Sequence, residues 1–261
     1  MSVFSKLKAI ADAIRAKTGK TAPLNLDQMA EGVAEVYEAG KKSQYDEFWD
    51  AYQDYGKRSV YEFAFAGKGW TNETFKPKYD LILDGGVYCT QMFHSSLITD
   101  LIGILEAQNI RLDTYGCKNV GQMFQSSLIP IIPPIDFTTA TGATNYAFGS
   151  SSIITIQKLK VSESTNFMQY AFHNATSLEE IDIEGTIGTG TLNFQWSKKL
   201  SKASITGIFE HFSTTASLSA TFSKQAVNTA FETSPGAGDG STSPEWLALL
   251  GTRPNCTISL I

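Results

Sequence analysis

Cysteine, histidine, any large excess of charge of one sign and long apolar runs are all lacking in this sequence, and each shortage removes a class of protein. Its 261 residues include only Cys89, Cys117 and Cys256, odd in number and widely spaced. That is neither a disulfide framework nor the ligand spacing of a zinc site, so the three are read as small apolar fillers. Twenty-one basic against 26 acidic residues give a net charge of -5 and a pI near 5.3, with no basic stripe. Nucleic acid and anionic membranes are therefore not expected as partners. No stretch approaches the roughly 18 consecutive apolar residues of a membrane span, so no membrane insertion is expected. The opening Met1 to Ile10 lacks the continuous apolar core of a signal peptide, which predicts synthesis and folding in a cytosol.

Catalytic signatures are missing too. There is no serine nucleophile elbow, phosphate loop or His-Glu-x-x-His pair. The glycine-rich run Gly236 to Ser241 is followed by no Lys-Ser or Lys-Thr and reads as a connection. His94 and His173 each follow a phenylalanine that other segments follow with Gln125, Gly149 or Gln195, so they occupy a variable turn position. His211 lies beside Glu210, and adjacent residues on a helix point apart. No enzyme, cofactor or metal site is expected.

What the chain does contain is repetition. Gln91-Met-Phe-His-Ser-Ser-Leu-Ile98 returns as Gln122-Met-Phe-Gln-Ser-Ser-Leu-Ile129, then in looser form around Phe148, Phe172 and Phe194, with a weaker copy at Phe63-Ala-Phe65-Ala-Gly67. The anchors Phe93, Phe124, Phe148, Phe172 and Phe194 stand 31, 24, 24 and 22 residues apart, a period of stacked supersecondary units. Each is preceded by a short alternating pair: Leu81-x-Leu83, Ile110-x-Leu112, Ile135-x-Phe137, Leu159-x-Val161 and Ile181-x-Ile183. Alternation means a strand with one buried face. The spacing therefore predicts two columns, the five phenylalanines and, under a parallel sheet, Leu83, Leu112, Phe137, Val161 and Ile183. The outward row Ile82, Arg111, Asp136, Lys160, Asp182 then alternates in sign, a self-neutralising ladder rather than an ion site. The next row, Asp84, Asp113, Thr138, Ser162 and Glu184, is expected to face solvent.

The ends differ from the middle. Phe4, Leu7, Ile10, Ala11 and Ile14 mark one helical face that Gly19 should end. From Asp27, Met29, Val33, Val36 and Tyr37 mark a second, continued by Tyr45, Phe48, Tyr52 and Tyr55 at spacings of 3, 4 and 3, those of a coiled-coil seam. Past Leu200, helices over 204–212 and 224–231, a capped start at Ser243-Pro244 and strands over 217–222 and 256–260 are expected to seal the far edge. The fold class is thus α+β. A helical attachment or oligomerisation segment (1–57) precedes a leucine-rich-repeat-like solenoid with a parallel sheet (58–205) and an α/β C-terminal cap (206–261).

Tyr170-Ala-Phe-His-Asn-Ala-Thr-Ser-Leu-Glu-Glu-Ile181, with its strand, aromatic anchor and small polar run, resembles the BspA-type leucine-rich repeats of bacterial surface proteins, over roughly residues 60 to 205. Ile10 to Gly19, Leu26 to Ala30 and Glu245 to Leu250 are similar to stretches of tail and minor structural proteins of phages of Gram-positive gut bacteria. The resemblance implies a virion protein without catalytic residues, attached through its N-terminal helices and presenting the solenoid to a host surface. A bacterial surface adhesin is the alternative. Implied partners are other virion proteins, a bacterial cell-surface receptor and further copies of the chain, a trimer before a dimer, held through Val36, Tyr37, Tyr45, Phe48, Tyr52 and Tyr55.

Overall fold

The computed structural model describes residues 3–19, 28, 29, 31, 33, 64–83, 88–142, 144–167, 170–232 and 240–261. The chain divides into two compact units, Met1–Asp54 and Tyr55–Ile261. In the first, helix α1 spans Val3–Thr18. It ends where expected, because Gly19 adopts a left-handed φ of 69° and returns its N–H to the Arg15 carbonyl at 2.9 Å. Ala11, Ile14 and Met29 form a small buried cluster. Val33, expected on the same face as Met29, is exposed instead. The proposed seam, Val36, Tyr37, Tyr45, Phe48, Tyr52 and Tyr55, lies outside the described residues.

The second unit contains a parallel β-solenoid of about four turns. Its spine is the phenylalanine column. Phe93, Phe124, Phe148, Phe172 and Phe194 are all buried, with successive ring centroids 5.4, 5.9, 5.1 and 4.5 Å apart. The column runs one rung further at each end, to Phe65 at 5.2 Å from Phe93 and to Phe222 at 5.6 Å from Phe194.

A repeated backbone turn carries each anchor inward. Residues two before and two after the anchor take left-handed φ: Gln91 and Ser95, Gln122 and Ser126, Tyr146 and Ser150, with Asn174 and Gly67 in the following position of their own turns. Alternate N–H groups therefore point along the solenoid axis. Gln122, Phe124 and Ser126 donate to the carbonyls of Asn145, Ala147 and Gly149 one rung on, while Met123, Gln125 and Ser127 close local turns. Phe93 to Met123 and Phe148 to Ala171 repeat the pattern. The turns from Phe65 to Phe148 thus hand their backbone donors to the next, which satisfies buried polar groups without long strands.

The strands are short. β1 (Leu81–Ile82) pairs with β2 (Leu112–Asp113), and helix α2 (Leu101–Ala107), N-capped by Asp100, fills the long first repeat. β3 (Ile131–Ile132) and β4 (Ile135–Asp136) both lie along β5 (Thr155–Val161). They are one strand interrupted by Pro133 and Pro134, which have no N–H to give a ladder. β7 (Glu180–Gly185) pairs with the other edge of β5, and β6 (Asn166–Phe167) with β8 (Thr189–Phe194).

Register corrects the expected inner column. Leu81 pairs with Leu112, and Leu159 with Ile183, so Leu112 and Ile183 belong one step earlier in their rungs than the spacing suggested. Leu112 is only half-buried, and Thr114 is buried in its place. The Thr114 hydroxyl donates to the Asp136 carbonyl at 3.1 Å and accepts from the Asp136 N–H at 2.6 Å, standing in for a strand partner. In the fifth rung Val161 pairs with Gly185, whose φ is 102°. A Cβ there would lie 2.0 Å from the Val161 carbonyl oxygen, so only glycine permits the shift.

The same shift breaks the predicted ladder of alternating charges on either side of Asp136 and Lys160, which do pair in register. Lys160 meets Glu184 at 3.5 Å rather than Asp182, and Arg111 meets Asp80 at 3.5 Å. Asp136 and Asp113 instead accept from N–H groups two residues ahead in their own turns. Asp84, of the next outward row, lies outside the described residues. Glu184 is also 3.2 Å from Lys158, whose hydrogen bond is the main reason its carboxyl titrates below the usual carboxylate value. The contribution of this exposed group to stability is present above the ordinary carboxylate pKa and lost as pH falls through its lowered value.

Beyond Phe194 the chain adds α3 (Lys202–Glu210), β9 (Ser219–Phe222), α4 (Lys224–Phe231), a short 3-10 turn (Gly240–Thr242), α5 (Pro244–Gly251) and β10 (Thr257–Leu260). Serines 201, 223 and 243 cap the three helices through hydrogen bonds to Ser204, Ala226 and Trp246 N–H groups. β9 and β10 continue the sheet in the order β6, β8, β9, β10. The far edge is moved rather than sealed. Ile258 and Leu260 on the last strand stay half-buried, and Ile261 is exposed.

Two outcomes follow from the spine and its turns. Phe148→Ala should cost about 3 to 5 kcal/mol in denaturant titration, because it removes a fully buried ring stacked on both sides. Ser126→Gly should stabilise by about 0.5 to 1 kcal/mol, since an exposed residue at φ 57° sheds its Cβ strain and loses part of the gain to unfolded-chain entropy.

Candidate functional site

Charge is partitioned around the solenoid. The segments 85–99, 119–135, 137–157, 164–178 and 185–197, which include β3, β6 and β8, contain no Asp, Glu, Lys or Arg, in a chain that is 18% charged. These are the segments that carry the anchors. Charges lie on or beside strands at Arg111, Asp113, Asp136, Lys158, Lys160, Asp182 and Glu184, and in the connections outside those segments at Lys118, Glu163, Glu179, Lys198 and Lys199.

Side chains two before, one after and two after each anchor form rows on the uncharged side. The first row reads Gln91, Gln122, Tyr146, Tyr170; the second His94, Gln125, Gly149, His173, Gln195; the third Ser95, Ser126, Ser150, Asn174, Trp196. Gln91 donates its side-chain amide to Gln122. Tyr146 and Tyr170 stack with centroids 5.3 Å apart and planes 7° from parallel. His173 meets the edges of both tyrosines at 5.2 and 5.7 Å and lies 4.3 Å from the Trp196 ring. Tyr170 is 41% exposed, and Tyr146, His173 and Trp196 are half-buried, so the cluster is a surface feature beside the core rather than part of it.

Gly149 makes this cluster possible. A Cβ at Gly149 would lie 3.0 Å from a Tyr146 ring carbon and 3.2 Å from the His173 carbonyl oxygen. The missing side chain is the room the Tyr146 ring needs to lie flat against its neighbours. His94 and His173, expected only as variable turn residues, fall into one row, and His173 gains an aromatic setting that its sequence neighbours do not announce. His211 is elsewhere, capping α3 with Nδ1 2.6 Å from the Gly185 carbonyl oxygen.

The cysteines require a correction. Cys89 and Cys117, taken from their spacing as apolar fillers, are joined in a disulfide with Cα atoms 6.0 Å apart. Both are buried on successive rungs, where Cys89 donates its N–H to the Asn119 carbonyl at 2.8 Å. They are 28 residues apart in sequence, and the α2 excursion between them hides the fact that they are neighbours in space. Cys256 is free, and burial pushes its thiol pKa up.

Among comparisons with known proteins, no family model, curated sequence or solved structure matches the chain. The site therefore rests on its own geometry. Among the described residues no three His, Cys, Asp or Glu side chains come together as a metal site would need. Of the sequence-derived candidates, the five anchors are brought into one column. The aromatic rows were missed, although the repeat alignment contains them at fixed offsets from the anchors.

Reducing the Cys89–Cys117 bond should destabilise the protein by up to roughly 3 to 4 kcal/mol, the loop-entropy value for a closed loop of this size, read as a lower melting temperature under reductant. Chelator should leave that temperature unchanged. A fall of several degrees would reveal a bound ion.

Proposed function

We propose that the chain is a structural component of a phage virion, of the tail or receptor-binding type, in which the N-terminal segment attaches and a BspA-type leucine-rich-repeat solenoid is displayed to a host surface. The observation that carries this reading is the division of the chain into a separate N-terminal unit and a repeat solenoid with one uncharged, aromatic face. A displayed binding module needs a rigid scaffold that repeats surface groups, and a solenoid held by a buried ring column supplies one. The resemblance at both ends of the chain supports the virion setting.

A bacterial surface adhesin is the second reading, and the buried Cys89–Cys117 disulfide favours it, because such bonds persist in oxidising surroundings outside the cytosol. A virion protein would reach the same surroundings after lysis. Mass spectrometry of particles purified after prophage induction, beside a washed cell-surface fraction, separates the two. The virion reading expects the chain in particles at a few copies or more and not on uninduced cells.

Attachment by the N-terminal segment makes its own expectation. Light scattering of the full chain should show a homo-oligomer, a trimer before a dimer, and of a chain beginning at Ser59 a monomer. The same state for both would remove the N-terminal helices as the assembly device.

A further inference from the structure

We propose that the uncharged face of the solenoid is a binding site for a neutral glycan chain lying along the solenoid axis across Gln122, Tyr146, Tyr170, His173 and Trp196. The inference rests on the reading of the solenoid as a displayed binding module and deepens it by naming the chemistry bound.

Charge decides first. The three rows contain no Lys or Arg and offer nothing to phosphate, sulfate or uronate groups; the sheet carries ion pairs such as Lys160 with Glu184, and Lys118, Glu163 and Lys198 lie in turns outside the rows. Nucleic acids and anionic wall polymers gain no attraction there. What the face does offer is amides and hydroxyls, from Gln91, Gln122, Asn174, Ser126 and Ser150, each able to donate and accept. Gln125 Oε1 and His173 Nδ1, in the same rows, are buried beneath that surface and take no part in this inventory. A polyhydroxylated, uncharged ligand matches that inventory.

The rings decide second. Sugar rings carry an apolar C–H face and a hydroxyl rim, and an exposed aromatic ring flanked by amides is complementary to both. Tyr170 and Trp196 supply such rings, held in place by the Tyr146 stack and by His173 between them. The phenylalanine column already fills the core, so the outer stack is not required for packing. Protein partners use Trp, Tyr and Arg anchors seated in pockets inside a polar rim. Here the rings lie on an open face without arginine, and the Lys199–Glu179 pair stands outside the rows.

Repetition decides third. Rungs succeed one another at about 4.8 Å, so equivalent groups recur along the axis as monomers recur along a polymer. Weak contacts at several rungs then add without a deep pocket, and further copies would add avidity.

The test uses the full chain in native gels containing dextran, mannan or galactan, with polygalacturonate as the charged control. The proposal expects slower migration in at least one neutral gel. It expects Tyr170→Ala and Trp196→Ala each to weaken that effect about tenfold or more while the melting temperature holds. Tyr115→Ala, also an exposed ring but outside the rows, should change nothing. No retardation in any neutral gel, retardation by polygalacturonate alone, or an equal loss in Tyr115→Ala would overturn it. Labelled full-length protein on Gram-positive cells, including the strain that carries the gene, keeps the two readings apart. Binding lost on periodate oxidation and kept after protease shaving supports the glycan. Binding lost on shaving and kept after periodate means a protein receptor, which overturns the glycan and leaves the display reading intact. Retardation in gels without binding to any cell would retain the site and sink the display reading.

Discussion

A left-handed residue on either side of the buried phenylalanine, as at Phe93, Phe124 and Phe148, is the constraint on which the middle of the solenoid depends. It turns alternate N–H groups along the axis, where the next rung's carbonyls accept them, and it points the ring into the core at the same time. Ring stacking and backbone pairing are therefore supplied by the same few residues. Strands of two residues suffice in several rungs because the turn carries part of the ladder. Hydroxyls complete it: Thr165, Thr144 and Ser197 donate to the carbonyls of Phe137, Asn166 and Ala175 on neighbouring rungs. Buried polar groups cost little when paired in this way.

That arrangement also explains where surface chemistry can vary. Residues at the anchor and just before it are locked inward, and the strand side carries the ion pairs that border the sheet, such as Lys158 and Lys160 with Glu184. The flanking rows are held in position by the turns yet contribute little to the core. They can change from Gln to Tyr, or from His to Gly, without disturbing the rungs. Gly149 shows the coupling: one absent side chain admits a tyrosine ring and converts a polar row into an aromatic one. A scaffold fixed inside and free along one outer face can vary its surface groups from rung to rung without changing its core.

A buried disulfide linking neighbouring rungs ties the α2 excursion to the spine and stabilises the first turns where the repeat is longest. The uncapped face of β10, with Ile258 and Leu260 half-buried, leaves the other end dependent on the helices packed behind it, where Trp246 meets Phe209, Phe222 and Phe231.

The sequence by itself determined the repeat, the buried anchors, the parallel short strands, the stop at Gly19 and the order of helices and strands after Leu200. These depend on local spacing and on side chains whose burial is dictated by their own chemistry. Only tertiary structure decided the rest. Register slipped at Leu112 and Ile183 because Thr114 could replace a strand partner and Gly185 could approach a backbone oxygen, choices that exist only once rungs face one another. Phe222 joined the column across a helix that no repeat period would count. Cys89 and Cys117 met because the long excursion between them folds outward, and a 28-residue separation says nothing of that. The aromatic face came from rows of residues each unremarkable in its own repeat, since stacking between Tyr146 and Tyr170 is a property of neighbouring rungs and of neither one alone.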